Sequence, residues 1–332
     1  MPSNYITVDT INHMNAELSN YCNAACPMCA RFDSDQNLVP EITNNKHTTL
    51  DDMKNKIGTK VIKNLKMFRS CGNVGDGTMN PECLDIYEFV KKTNPKATLT
   101  LNTNGGARNP EFFTEMAKLG VVITFSIDGL QDTNHLYRRN VKWDKVMTNV
   151  RSFIDAGGIA IWDYLIFKHN EHQSDKAEAM ANQLGFVSFN RKTTTRWDDF
   201  DKQGNWLQRE KIQLDDYSLE KPESKKAMAY AIERDYKKQT VSQNKIVCKS
   251  FANNNVEIFL HANGNVSPCC WLGDLKLHES KNIIEDYNSV NIHHNSLQKI
   301  LEGRYFQEIW KGIQGQVQKY KLQTCQQVCG VQ

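Results

Sequence analysis

Met14-Asn-Ala-Glu-Leu-Ser19-Asn-Tyr-Cys22-Asn-Ala-Ala-Cys26-Pro-Met28-Cys29-Ala-Arg31 opens with a strand-like run and passes at once into three cysteines spaced by three and two residues. Parallel-sheet folds hold ligands at the carboxyl ends of their strands. Thiols that directly follow a first strand therefore sit where a ligand would be held. The unit then recurs along the chain. Strand-like runs at Lys66–Ser70, Ala97–Asn102, Val121–Ser126, Ala160–Phe167 and Phe186–Arg191 alternate with helical runs around Asp51–Lys63, Glu82–Lys92, Pro110–Lys118, Lys142–Ala156 and Gln173–Leu184. Thr49 or Asp51 is placed to cap the first helix, and Gly120, Gly157 and Gly185 stand where three others would stop. Six strands alternating with helices predict an α/β protein with a parallel sheet and right-handed crossovers. The periodicity fits both a partly closed barrel and an open, doubly wound sheet.

A chain of 332 residues exceeds a typical compact domain and points to a large domain with a smaller one attached. Its 41 basic and 38 acidic residues nearly cancel, to a net charge of +3, which gives no reason to expect a nucleic-acid or membrane surface. No apolar run reaches the roughly 18 residues of a membrane span. Met1–Met14 lacks the basic-then-apolar layout of a secretory signal. The ten cysteines are clumped: Cys22, Cys26 and Cys29 near the start, then Cys248, Cys269, Cys270, Cys325 and Cys329. Only Cys71 and Cys83 lie outside these groups, and they read as buried free thiols. A secreted disulfide protein would scatter its cysteines. Clumping without a signal predicts metal or cluster ligation in a reducing cytoplasm.

A [4Fe–4S] cluster held for electron transfer takes four cysteines. The first loop supplies three, with no fourth nearby in sequence. An iron without a protein thiolate is a Lewis-acidic position that a small molecule can occupy. Zinc held by the three cysteines and a distant fourth ligand is the alternative.

The Cys-x3-Cys-x2-Cys arrangement resembles that of the radical S-adenosylmethionine (SAM) superfamily. The resemblance implies a [4Fe–4S] cluster on Cys22, Cys26 and Cys29 whose open iron is chelated by the amino and carboxylate groups of SAM. An electron from the reduced cluster then breaks a carbon–sulfur bond. The products are methionine and a 5′-deoxyadenosyl radical, which takes a hydrogen atom from substrate. Later motifs fall in the order this resemblance implies. Gly75-Asp76-Gly77, after the second strand, resembles the family's glycine–glycine–glutamate motif, with Asp76 in place of the usual Glu. Asn104, in Thr103-Asn104-Gly105, resembles the turn after the third strand. Ser126 and Asp128 end the fourth strand, Arg138 and Arg139 follow it, and Asn170 follows the fifth. By resemblance all of these are SAM-site residues, with one arginine paired to the SAM carboxylate, a task that suits a bidentate guanidinium. The family often has an aromatic residue just before the third cysteine; here Met28 is there, and its polarisable sulfur would pack on the adenine. His169 and His172 read as surface residues at a helix start.

Cys248, Gly264 with Cys269 five residues on, and then Cys325 and Cys329 resemble the auxiliary-cluster extension called SPASM, or its shortened twitch relative. Adjacent cysteines seldom face one iron, which sets Cys270 apart. The remaining four supply a full ligand set for one auxiliary [4Fe–4S] cluster, with structural zinc as the alternative. The resemblance thus implies a partial (β/α)6 TIM-like barrel over residues 1–195, a charged connecting segment over 196–245, and a small α+β auxiliary-cluster domain over 246–332.

The implied reaction begins with hydrogen abstraction. One outcome is oxidation or modification of a small molecule of sugar, aminocyclitol or nucleotide type; the other is peptide or protein modification. No domain ahead of the first strand is available to dock a leader peptide, which favours the small molecule. The implied electron donor is a flavodoxin or ferredoxin. A cluster- or zinc-binding protein without turnover is the non-enzymatic alternative. Trp197, Trp206, Lys192 and Arg196 are candidates to line the substrate side.

Overall fold

In a parallel strand covered by helices, side chains alternate between the helix layer and the opposite face of the sheet. The computed structural model describes residues 6–33, 35–42, 44–194, 196–200, 206–209, 211–214, 216–229, 245–251, 254–273, 283–284, 286–316 and 322–331. Six strands follow the expected order: β1 (His13–Ala16), β2 (Met67–Ser70), β3 (Thr98–Thr103), β4 (Val122–Ser126), β5 (Ile159–Leu165) and β6 (Ser188–Lys192). In β3 Leu99 and Leu101 are buried while Thr100 and Asn102 are half-buried. In β5 Ala160, Trp162 and Tyr164 are buried while Ile161 and Asp163 are not. The apolar set meets the helices α3 (Pro110–Lys118) and α5 (Trp143–Asp155). Phe125 lies 5.7 Å from Phe113 and 5.8 Å from Phe153, ring to ring. Burying each of these rings contributes about 3 kcal/mol.

The remaining barrel helices are α1 (Thr59–Asn64), α2 (Cys83–Thr93), the short α4 (Asn134–Tyr137) and α6 (Ser174–Leu184). A seven-residue π-helical stretch, Asp52–Gly58, precedes α1. Its start is a reciprocal cap: the Asp52 amide donates to Thr49 Oγ1 at 3.0 Å and the Thr49 amide to Asp52 Oδ2 at 2.9 Å. Gly185 ends α6 in the left-handed region, φ 92°, which a side chain would strain.

The segment expected as a plain connector carries two antiparallel ribbons: β7 (Asp198–Phe200) with β8 (Trp206–Gln208), and β9 (Lys211–Gln213) with β10 (Ser218–Glu220). The second ribbon is fastened to the loop after β5, where the Lys168 amide donates to Glu220 O at 3.1 Å. Glu171 Oε2 accepts from the amides of Glu223 and Ser224, each at 3.0 Å. The segment also carries the short helix α7 (Lys225–Met228), and residues 230–238 lie outside the described residues.

The C-terminal part is not a separate layer. After β11 (Lys245–Ile246) come β12 (Glu257–Leu260) and β13 (Val266–Ser267), which pair as an antiparallel hairpin. β12 pairs in parallel with β1, His13 opposite Glu257 and Ala16 opposite Leu260. The main sheet therefore has eight strands, in the order β13-β12-β1-β2-β3-β4-β5-β6, and it is open. All its pairings are parallel except the β12–β13 hairpin. Helices α8 (Leu297–Glu302), α9 (Arg304–Ile313) and α10 (Gln323–Cys329) follow, and β14 (Gly330–Val331) closes back antiparallel on β11. α9 buries Tyr305, Phe306 and Ile309 on one face. Among the described residues no helix is long and apolar enough to cross a membrane.

Candidate functional site

A cavity of about 460 Å³ opens at the carboxyl ends of the strands, and Cys22, Cys26 and Cys29 line one wall of it. The opposite walls come from the ends of β2 to β6, with Ser126 and Lys192 among them, and from Trp271 of the chain after β13. The segment Cys269–Gly273 reaches the site because Asn73 Nδ2 donates to Cys270 O at 2.8 Å.

Two loops meet under the thiols, and glycine is what lets them meet. A Cβ on Gly75 would lie 1.7 Å from Ser19 O, and one on Gly72 would lie 1.5 Å from Gly75 O. Only a residue without a side chain permits that approach. The Asp76 amide then donates to Tyr21 O at 2.9 Å. Two buried charged residues clamp the same loop. Glu17 Oε1 accepts from the amides of Asn73 at 3.0 Å and Val74 at 2.8 Å. Arg31 Nη1 donates to Val74 O at 2.8 Å and also to Asn20 O.

Asp76 explains the acid in its motif. Its Oδ1 accepts from the Thr78 amide at 3.0 Å and the Thr78 hydroxyl at 2.7 Å. Its Oδ2 accepts from the Thr103 hydroxyl at 2.8 Å and from Asn104 N and Nδ2, each at 2.9 Å. A buried acceptor with both oxygens so used fixes the ends of β2 and β3 against each other; its side chain is fully engaged within the protein.

Of the residues expected at a SAM site, Gly75, Asp76, Asn104, Ser126 and Arg138 line the cavity. The others stand behind its wall. Asp128 is fully buried and pairs with Arg138, Nε to Oδ2 at 2.6 Å, while its Oδ1 accepts from the Leu165 amide at 2.6 Å. Burial raises the Asp128 carboxyl pKa, and the Arg138 guanidinium opposes that rise. Asn170, also fully buried, spends its amide on Asp128 O at 3.0 Å and Leu165 O at 2.9 Å and accepts from the Phe167 amide at 2.7 Å. It braces the β4 and β5 ends. Arg139 O accepts from the Ala25 amide at 3.0 Å, which tethers the cysteine loop. Gly77 is buried beneath the loop, where a Cβ would come 2.6 Å from Ser70 Oγ. Met28 is buried, and its carbonyl accepts from Arg196 Nη1 at 3.4 Å.

Lys192 and Arg196 line the cavity as expected. Lys192 Nζ pairs with Asp163 Oδ2 at 2.5 Å. Trp197 is instead a core residue, packed edge-on against Phe167 at 6.2 Å. The Trp206 side chain lies outside the described residues. His172 is exposed, whereas His169 is half-buried and stacked on Phe167 at 5.5 Å. Cys83 is fully buried, but Cys71 is half-buried and lines the cavity, where Asn15 Nδ2 donates to its sulfur at 3.1 Å.

Burial pushes the Cys22 thiol far up and the Cys26 thiol up to about 11. Such thiols are held as thiolates only against a cationic centre. Donors already face the sulfurs: the Ala24 amide at 3.4 Å and Asn104 Nδ2 at 3.6 Å at Cys22, and Arg138 Nη1 at 3.6 Å at Cys26. Unpaired thiols facing a shared cavity, with N–H groups aimed at the sulfurs, suit an iron–sulfur cluster. Among the described residues, no group of three or more His, Cys, Asp or Glu side chains is arranged to hold a metal ion.

The C-terminal cysteines come together through β11 and β14. The Val247 amide donates to Cys329 O at 2.9 Å, which sets Cys248 beside Cys329. A hydrogen bond between the Cys248 and Cys329 sulfurs pushes the Cys248 thiol up and the Cys329 thiol down. Cys248 also feels the charge of Cys269, and Cys269 that of Cys325. Amides of Trp271 and Leu272 point at Cys269, and that of Ser250 at Cys248. Four neighbouring thiols, with amide N–H donors at Cys248, Cys269 and Cys329, suit an all-cysteine cluster.

The sequence profile of the radical SAM superfamily matches residues 16–181. The chain belongs to the radical SAM superfamily. The profile of SPASM, an iron–sulfur cluster-binding domain, matches residues 248–330, C-terminal to it. A SAM-binding [4Fe–4S] cluster and an auxiliary iron–sulfur cluster are the cofactors these two domains imply. Members of the radical SAM family are enzymes. No curated protein matches the chain in sequence. Among solved structures, Streptococcus suis SuiB aligns at 12% identity and a TM-score of 0.61, over 92% of this chain and 68% of that one. SuiB bound to precursor peptide SuiA aligns at 12% and 0.57, over 90% and 66%. The chain thus spans about two thirds of SuiB. anSMEcpe with bound AdoMet and Cp18Cys peptide aligns at 13% and 0.57, over 94% and 84%. At these identities the likeness is one of fold.

Glu17, Arg31, Cys71 and Trp271 enter the site without having been singled out for it in the sequence. Glu17 carried a signal, as a lone acid inside an otherwise uncharged strand-like run just ahead of the cysteines. Arg31 carried a weaker one, two residues past Cys29. Trp271 carried none.

Proposed function

We propose that this protein reductively cleaves SAM and uses the product to abstract a hydrogen atom from a small organic substrate. The observation that supports this reading is the convergence of Cys22, Cys26, Cys29, the Gly72–Gly75 loop, Ser126 and Arg138 on one cavity of about 460 Å³. Cys22, Cys26 and Cys29 would hold the first [4Fe–4S] cluster, and Cys248, Cys269, Cys325 and Cys329 the auxiliary one. When bound, the reduced first cluster supplies the electron that splits SAM into methionine and a 5′-deoxyadenosyl radical. The chain's own residues bind, orient and screen. The Gly75–Asp76 backbone, Asn104, Ser126 and Arg138 form the wall for SAM. Trp271, Lys192 and Arg196 border the side left for substrate and exclude water there. Asp128, Asn170, Arg139, Gly77 and Met28 support that wall from behind.

The cavity lies within the size range of small-molecule sites, roughly 300–1,000 Å³, and SAM takes part of it. The substrate of this reading is a small molecule of sugar, aminocyclitol or nucleotide type, approaching on the side bordered by Trp271, Lys192 and Arg196. Modification of a peptide is the second reading, favoured by the solved peptide complexes of SuiB and anSMEcpe; there one side chain would enter the cavity. The electron donor would be a flavodoxin or ferredoxin, in the cytoplasm. The test is anaerobic reconstitution with iron and sulfide, then SAM and dithionite. 5′-Deoxyadenosine should form with the native chain and not with Cys26→Ala. Full iron loading without 5′-deoxyadenosine would overturn the reading.

A further inference from the structure

Arg138 faces two ways. Its Nε donates to Asp128 Oδ2 at 2.6 Å, and its Nη1 donates to the Cys26 sulfur at 3.6 Å. Asp128 is itself immobilised: Oδ1 takes the Leu165 amide of β5, and its own amide donates to Asn134 Oδ1 at 2.9 Å. The guanidinium also packs over the Tyr137 ring, 5.4 Å from its centroid. The Asp128 side chain is 0% exposed and that of Arg138 17%, so water screens the contact weakly. The donors at Cys22 are neutral, an amide N–H and an asparagine. Among the described residues Cys26 is the one of the three thiols given a cationic donor.

We infer that the Asp128–Arg138 pair is a positioning device that sets the reduction potential of the first cluster, by holding a fixed positive charge and an N–H against the sulfur of Cys26. The inference rests on the reading of Cys22, Cys26 and Cys29 as cluster ligands. One-electron reduction makes a thiolate-ligated cluster more negative. A cation and a hydrogen bond at a ligating sulfur stabilise that reduced form and raise the potential. Asp128 acts through Arg138: it fixes where the charge sits. This role at the sulfur is carried by Nε and Nη1 and comes in addition to the place of Arg138 in the cavity wall, so it is read without SAM present.

The test uses the full chain, reconstituted anaerobically with iron and sulfide and without SAM, and titrated with dithionite through redox mediators. The first cluster's EPR signal is the component missing from the Cys22→Ala/Cys26→Ala/Cys29→Ala triple variant. Arg138→Gln should titrate at a more negative midpoint than the native chain and Arg138→Lys in between, with the auxiliary signal unmoved. An unchanged midpoint in Arg138→Gln overturns the inference; if that variant does not load, an unchanged midpoint in Arg138→Lys does so. Loss of the first cluster from both variants while they remain folded also overturns it, since Arg138 would then only hold the loop. A native chain with the same signal as the triple variant would instead remove the ligand assignment, and the inference with it.

Discussion

Asp76 Oδ2 accepts the Thr103 hydroxyl at 2.8 Å, and this bond ties the end of β2 to the end of β3 directly beneath the cavity. Replacing Asp76 with Asn turns one acceptor oxygen into a donor that faces N–H and O–H groups. The cost should be about 3 kcal/mol, the scale of a buried donor set left unpaired. Urea unfolding should show a lower midpoint with an unchanged slope, and SAM binding should weaken in parallel. A midpoint equal to the native one would show that the five contacts do not act as a network.

Gly75→Ala places a methyl group against Ser19 O, a backbone atom that cannot rotate away. The glycine loop and the cysteine loop must then separate. Iron content after reconstitution should fall by about half, from about eight to about four per chain, as the first cluster is lost and the second retained. Retention of all the iron would mean that the loops part without disturbing the thiols.

The two cysteine groups should be separable by substitution. Cys248→Ala should also lower the iron content from about eight to about four, while 5′-deoxyadenosine formation persists. Cys83→Ala, at a fully buried position in α2, should leave iron unchanged and cost about 1 kcal/mol of stability for the small void. Loss of iron from the Cys83 variant would place that thiol among the ligands.

His169 and His261 are each held down to about 4 by burial, so both rings are neutral in the folded chain at neutral pH. The unfolded chain takes up protons near the ordinary histidine value of about 6.5. Unfolding therefore binds protons between about 6.5 and 4, and the stability present above 6.5 drains away as pH falls through that window. Melting temperatures measured from pH 7 to pH 4.5 should decline. Substituting both histidines with glutamine should flatten the decline, and an unflattened profile would assign the loss to other groups.

The strands and helices of the first part were legible because each buries one face, so alternation in Thr98–Thr103 and Ile159–Leu165 reports directly on position. The cysteine loop was legible because ligand spacing is local. What the sequence did not disclose is long-range. β12 pairs with β1 across some 240 residues, and nothing in Glu257–Leu260 states its partner. Asp128 and Asn170 follow the carboxyl ends of β4 and β5, where the motif order put them in the sequence. Their side chains, however, satisfy backbone groups rather than face the cavity, a choice made by neighbours such as Leu165. Trp197 went into the core because Phe167 offered an aromatic edge.

The pairing of β1 with β12 also sets a timetable. On a ribosome adding about 5–20 residues per second, β1 waits on the order of 10–50 seconds for its outer neighbour to be made. Until then the strand that leads into Cys22 presents an unpaired edge, the kind of surface that recruits other chains. The nascent protein should need chaperone shelter through that interval, and a ribosome stalled before residue 257 should expose the β1 edge to aggregation even with every barrel helix already formed.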